Sequence, residues 1–174
     1  MPLESMYELA AGARLHRGVP EVVRSHFAAA QNLLAYSWFH YPFNVTAQFL
    51  AYVSVEAALR QRYPALKSLR RPKEPAAFKE LVAHAVKEGA VADTGFAHVR
   101  LQIEQREYER AAGFPWSEAG AAEQIRSYVK ILVSALPGLR NSFAHGEYML
   151  HNAGAGSVRI CAEFINQLFT ESKG

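Results

Sequence analysis

Apolar residues recur at three- and four-residue intervals along most of this chain, and prolines and glycines cut the pattern into helix-sized lengths. That spacing gathers side chains on one face of a helix, whereas a half-buried strand would need strict alternation. Before Pro20 the pattern is loose. After it, Val23, Phe27, Ala30, Leu34 and Trp38 form one stripe, widened by Ala35 and Phe39, which runs to about Tyr41 and stops at Pro42. Val45, Phe49, Tyr52, Val53, Leu59 and Tyr63 predict a second helix that ends at Pro64. Pro75 is placed to open a third, with Phe78, Leu81, Val82, Ala85 and Val86 inward and Gly89 suited to its end. A more charged fourth segment runs from about Phe96 to Ala111, where Gly113-Phe114-Pro115 breaks it.

Ser117 is positioned to cap a fifth helix whose stripe is Ile125, Tyr128, Val129, Leu132, Val133 and Leu136. Pro137 and Gly138 follow and are suited to bending the chain. Asn152 to Gly156 reads as a flexible turn before a last helix from about Val158 to Phe169. No strand alternation of useful length and no internal repeat interrupts this series. The expectation is an all-α, up-and-down bundle of about five to six helices in a single domain over residues 1–174.

A chain of 174 residues can bury a substantial core in one domain. With 50% hydrophobic and 20% charged residues it falls in the range of folded globular proteins, which excludes a disordered, low-complexity class. A net charge of +3 permits a nucleic-acid partner without requiring one. Cys161 is the single cysteine, so no intrachain disulfide can form and a reducing, cytoplasmic setting is expected. Its apolar surroundings, Val158-Arg159-Ile160-Cys161-Ala162, suit a buried structural thiol. Acidic residues come early and no cationic lead precedes an apolar run, so no secretory signal is expected at the start. No apolar stretch approaches membrane-spanning length, so no membrane partner is expected either.

The segment richest in chemistry is Arg140-Asn141-Ser142-Phe143-Ala144-His145-Gly146. It places a guanidinium, an amide and an imidazole close together directly after an amphipathic helix. Arginine can hold phosphate oxygens with a planar fork, and histidine moves protons near neutral pH, so the pair suits a phosphodiester. Asn141 and His145 share a helical face at i and i+4. Arg140 and His145, at i and i+5, would stand roughly 140° apart on a regular helix. They could act on one phosphate only if the chain bends, or if a second subunit supplies the other half.

Arg140 to His145 resembles the R-x4-6-H motif of the HEPN superfamily, and Asn141 matches the polar residue commonly found after the arginine. Val53-Ser54-Val55-Glu56-Ala57-Ala58-Leu59-Arg60 is similar to that family's early core helix, which often carries an acidic residue on its inner side. Phe78 to Ala85, followed by Lys87-Glu88-Gly89, is similar to the next one. The similar parts span residues 43 to 170, with an additional helix at about 20–41 before them. The resemblance implies a small helical domain, a homodimer, and a metal-independent endoribonuclease with no cofactor. Arg140 would hold the scissile phosphate, His145 would transfer a proton, and Asn141 would orient one or the other. It equally includes non-catalytic modules that dimerise or bind RNA, a nucleotide or a partner protein. An antitoxin or defence-system protein is a partner of the kind implied.

Three further groups bear on this reading. Glu56 falls in the apolar stripe of its helix, after Val45, Phe49 and Val53. A carboxylate there either pairs with His145 or Arg140 or lies at the stripe margin and reaches water. Lys67, Arg70, Arg71 and Lys73 form a basic loop that either contacts RNA phosphates or is simply solvated. Trp38 and Trp116, with Phe39, Tyr41 and Phe43, either stack bases or serve as core or dimer contacts. His84, His98, His145 and His151 show no metal-ligand spacing, and no phosphate-cradling or dinucleotide-binding glycine loop is present.

Overall fold

The computed structural model describes residues 3–113, 127–146 and 153–170. In chain order these form α1 (Leu3–Gly12), α2 (Glu21–Tyr36), α3 (Phe43–Arg62), α4 (Phe78–Lys87), α5 (Ala97–Ala111), α6 (Tyr128–Ala144) and α7 (Gly154–Leu168). A 3-10 turn at Asp93–Gly95 precedes α5. Among the described residues the fold is all-α; the only sheet-like pairing is an isolated bridge between Lys67 and Pro75. No helix of the described residues is long and apolar enough to cross a membrane.

The described helices number seven rather than five to six, because the loosely patterned start is itself helical. Met6, Ala10 and Ala13 are buried along α1 and just after it, and α1 packs on α2 and α7. Two of those three are alanines, too small to register as an apolar stripe.

α3 is the central element, touching α2, α4, α6 and α7. It is therefore buried on most of its circumference, and Ala47, Ala51, Ser54 and Ala58 let neighbouring helices approach closely. The large side chains that close the core around it include Phe27 and Leu34 of α2, Leu81 of α4 and Phe164 and Ile165 of α7, all at most 1% exposed. Each contributes roughly 1.5–3 kcal/mol by leaving water. One polar network crosses this core. Tyr52 donates its hydroxyl hydrogen to Ser157 Oγ (3.1 Å), Ser157 donates to Gln48 Oε1 (3.3 Å), and Gln48 donates to Asn44 Oδ1 (3.1 Å).

Four points differ from the sequence pattern for local reasons. Pro75 does not open α4, which starts at Phe78 after Ala77, because Pro75 is held in the bridge to Lys67. α2 ends at Tyr36, not Tyr41: Ser37 turns its hydroxyl back onto the Leu34 carbonyl (2.6 Å), and Trp38 and Phe39 leave the stripe and face outward. Pro137 and Gly138 do not break α6, which continues through them to Ala144. The expected flexible turn is in part helical, since α7 begins at Gly154. Glycine is required there because a side chain at 154 would collide with Asn44. The expected cap Ser117 and stripe residue Ile125 lie outside the described residues.

Candidate functional site

α6 carries the Arg140–His145 segment on its last turns. Its inward stripe is Leu132, Leu136 and Phe143, all buried, and Arg140 falls between the last two at spacings of four and three. Arg140 therefore points toward α3 rather than to open solvent. α3 presents Glu56 on its own inner side, four residues after buried Tyr52 and three before buried Leu59. Two apolar stripes, each interrupted by one charge of opposite sign, thus face each other.

The charges meet. Glu56 Oε2 is 2.9 Å from Arg140 Nη2, with the Glu56 side chain 13% and the Arg140 side chain 35% exposed. The other carboxylate oxygen accepts from Arg60, 2.7 Å from Nη2 and 3.2 Å from Nε. Arg60 also reaches the Ala76 carbonyl at 3.4 Å, tying this cluster to the base of the basic loop. Arg140 Nη1 donates to Asn141 Oδ1 at 3.1 Å. Among the described residues its Nε is buried without a hydrogen-bond partner. Nη1 is hydrogen-bonded and Nη2 stands in an ion pair, two contacts among those residues for the four N–H groups that the terminal nitrogens carry.

His145 is the C-cap of α6 and is exposed. Its backbone N–H still bonds the Asn141 carbonyl at 3.0 Å, so the helical register persists to this residue. Gly146 follows with φ +75, a left-handed conformation natural to glycine, and its N–H bonds the Phe143 carbonyl at 3.2 Å. Because the register persists, Arg140 and His145 remain roughly 140° apart around one helix. The structure brings Arg140, Asn141 and Glu56 together and leaves His145 on another side of α6.

Glu56 pairs with Arg140 and Arg60, not with His145. The basic loop is also separate from His145. The Arg140–Glu56 pair and the edge-on contact of Phe143 with Tyr52 (centroids 5.7 Å) make α6 antiparallel to α3. His145 thus lies toward the start of α3, while Lys67, Arg70, Arg71 and Lys73 follow its end and are exposed. From the level of about Leu50 to Arg62 the axial separation is already about 18 Å, and the loop lies beyond that end. Within the loop Arg71 pairs with Glu74 at 3.3 Å. Glu80 accepts from Ala77 N–H (2.8 Å), Leu69 N–H (3.0 Å) and Ser68 Oγ (3.2 Å), and these bonds, the Ala77 one foremost, hold its carboxyl below the usual range.

Two supports of the site had no motif to mark them. Asp93 Oδ1 accepts the Val129 N–H at 2.8 Å and the Ser127 hydroxyl at 3.3 Å, so a residue from the 3-10 turn caps the start of α6. Arg60 could have been found from its i, i+4 relation to Glu56. Among the described residues no three His, Cys, Asp or Glu side chains converge as a metal site would require. His84 stacks edge-on against Tyr63 and His98 against Tyr128. His151 and Trp116 lie outside the described residues. Cys161 is buried, and desolvation pushes its thiol well above the usual range, so it is packed rather than reactive. No family model, curated protein or solved structure matches this chain.

Proposed function

We propose that this protein is a metal-independent RNA endonuclease whose site is completed by a second copy of the chain. The observation that carries the reading is a braced guanidinium and an exposed imidazole near the end of one helix. Arg140 is fixed by Glu56 and Asn141 yet about a third exposed, and His145 stands in solvent at the end of the same helix. The terminal nitrogens of Arg140 carry more N–H groups than their two contacts among the described residues, which suits phosphate oxygens, and they would stabilise charge as it builds in the transition state. His145 is positioned for proton transfer near neutral pH.

In this mechanism the ribose 2′-oxygen attacks the adjacent phosphorus and the bond from phosphorus to the 5′-oxygen breaks. His145 of one copy accepts the 2′-hydroxyl proton, and the same residue of the second copy donates a proton to the departing 5′-oxygen. The products are a 2′,3′-cyclic phosphate and a 5′-hydroxyl end. One histidine per chain, set roughly 140° from its arginine, is the reason two copies are required. The basic loop, about 20 Å away along α3, would then follow the RNA strand rather than the cut bond.

A second reading is favoured by one specific contact. Arg140 is already paired within its own chain, as expected of a HEPN-like interaction module that binds RNA, a nucleotide or a partner protein without cleaving. Incubating structured and unstructured RNA with wild type, Arg140→Ala and His145→Ala separates the two. The nuclease reading expects cleavage by wild type only. RNA bound but left intact by all three, with folding unchanged, transfers the assignment to the module.

A further inference from the structure

The turn between α2 and α3 carries a group of aromatic residues on its outside. Tyr36 is 58% exposed, Trp38 47%, Phe39 66%, Tyr41 43% and Phe43 37%. Three of the rings touch, Phe39 lying 4.9 Å from Trp38 and 6.5 Å from Tyr36 centroid to centroid, and Phe43 packs on His40 at 4.9 Å. Soluble surfaces scatter single apolar residues but rarely gather them, and a contiguous patch marks a site of association. At roughly half exposure the five rings present about 500 Å².

The surrounding charge selects the partner. From Ser25 to Val55 the sequence contains no Asp, Glu, Lys or Arg. α1, docked on this turn through Met6 beside Ser37, adds the carboxylates Glu4 and Glu8. A nucleic acid needs cations for its phosphates and would find none along this stretch. An uncharged aromatic patch is complementary to itself. Paired across a two-fold axis it would bury on the order of 1,000 Å², the lower bound for a specific interface.

Position supplies the last step. Because α6 runs antiparallel to α3, its end at His145 comes level with about Leu50, and α7 starts with Gly154 against Asn44. Phe43, the next residue out, is about 10 Å along the axis from that level. His145 and the aromatic turn therefore share one end of the bundle.

We infer that the α2–α3 aromatic turn is the contact through which a second copy of this chain docks, bringing the two His145-bearing helix ends to one shared cleft. The inference rests on the composite-site reading and adds the surface that builds it. It is tested by sedimentation of the full chain over a dilution series, with RNA cleavage measured on the same samples. Wild type should be dimeric at micromolar concentration. Phe39→Glu and Tyr36→Glu, both at exposed positions, should weaken the dimer by about 30-fold or more with unchanged helical circular dichroism. Leu101→Glu on α5, itself 64% exposed, should leave it intact. A dimer that depends on Phe39 but cuts no RNA supports the interface and removes the nuclease reading alone. A wild type that stays monomeric overturns the inference. So do Phe39→Glu and Tyr36→Glu dimers as tight as wild type, or a monomeric Phe39→Glu that cleaves at the wild-type rate.

Discussion

Replacing Glu56 by glutamine keeps the shape of the side chain while removing the charge that two guanidinium groups share. The Arg140 contact (2.9 Å) changes from an ion pair to one between a cation and an uncharged amide, and the amide can turn an N–H donor toward a group that only donates. With the Arg140 side chain 35% exposed, solvent screens part of the loss, which leaves about 1–2 kcal/mol. The Arg60 bond is an i, i+4 surface pair and adds about 0.3–0.5 kcal/mol. A total near 2 kcal/mol lowers the melting temperature by about 4–8 °C at this chain length. Calorimetry of wild type, Glu56→Gln, Arg140→Gln and the double variant closes a cycle in which the double variant should lose less than the sum of the singles. The reasoning is refuted if Glu56→Gln melts with wild type, or if the two single losses simply add. If Arg140 holds phosphate as proposed, Glu56→Gln should also weaken that binding, because the brace that aims the guanidinium is gone.

Three further outcomes follow from named contacts. Asp93→Ala should cost about 0.5–2 kcal/mol, the usual worth of a helix cap, and should speed amide hydrogen exchange at Val129 before any core residue. Burial pushes the Tyr52 hydroxyl from 10.0 to about 12. The unfolded chain therefore loses that proton first, and stability, fully present below pH 10, should fall as pH rises toward 12; Tyr52→Phe should flatten that decline in alkaline denaturation. On the proposed nuclease reading, RNA cleavage should persist in EDTA and drop by about 10²- to 10⁴-fold in His145→Ala, with Arg140→Lys also poor because an ammonium lacks the planar fork. Normal cutting of a substrate with a single 2′-deoxy position at the cleavage point would exclude the 2′-hydroxyl as nucleophile.

Much of the helical series was readable from spacing alone, because burial of one helix face demands a repeat near 3.6 and Leu81, Val82, Leu132, Leu136 and Ile165 obey it. The place of Glu56 in an apolar stripe was readable too, but it left three outcomes open: a bond to His145, a bond to Arg140, or escape to water at the stripe margin. What spacing could not supply was partnership between distant segments. That Glu56 meets Arg140 and Arg60 rather than His145 depends on α6 lying antiparallel to α3, a relation no local pattern encodes. Asp93 caps a helix that begins 35 residues later, and only the packed fold brings the two together. Trp38 and Phe39 continue a helical stripe in the sequence yet face water, because the hydroxyl of Ser37 turns back onto Leu34 at the end of α2. Periodicity reports what a residue would do if its helix continued, and the tertiary structure decides where the helix stops.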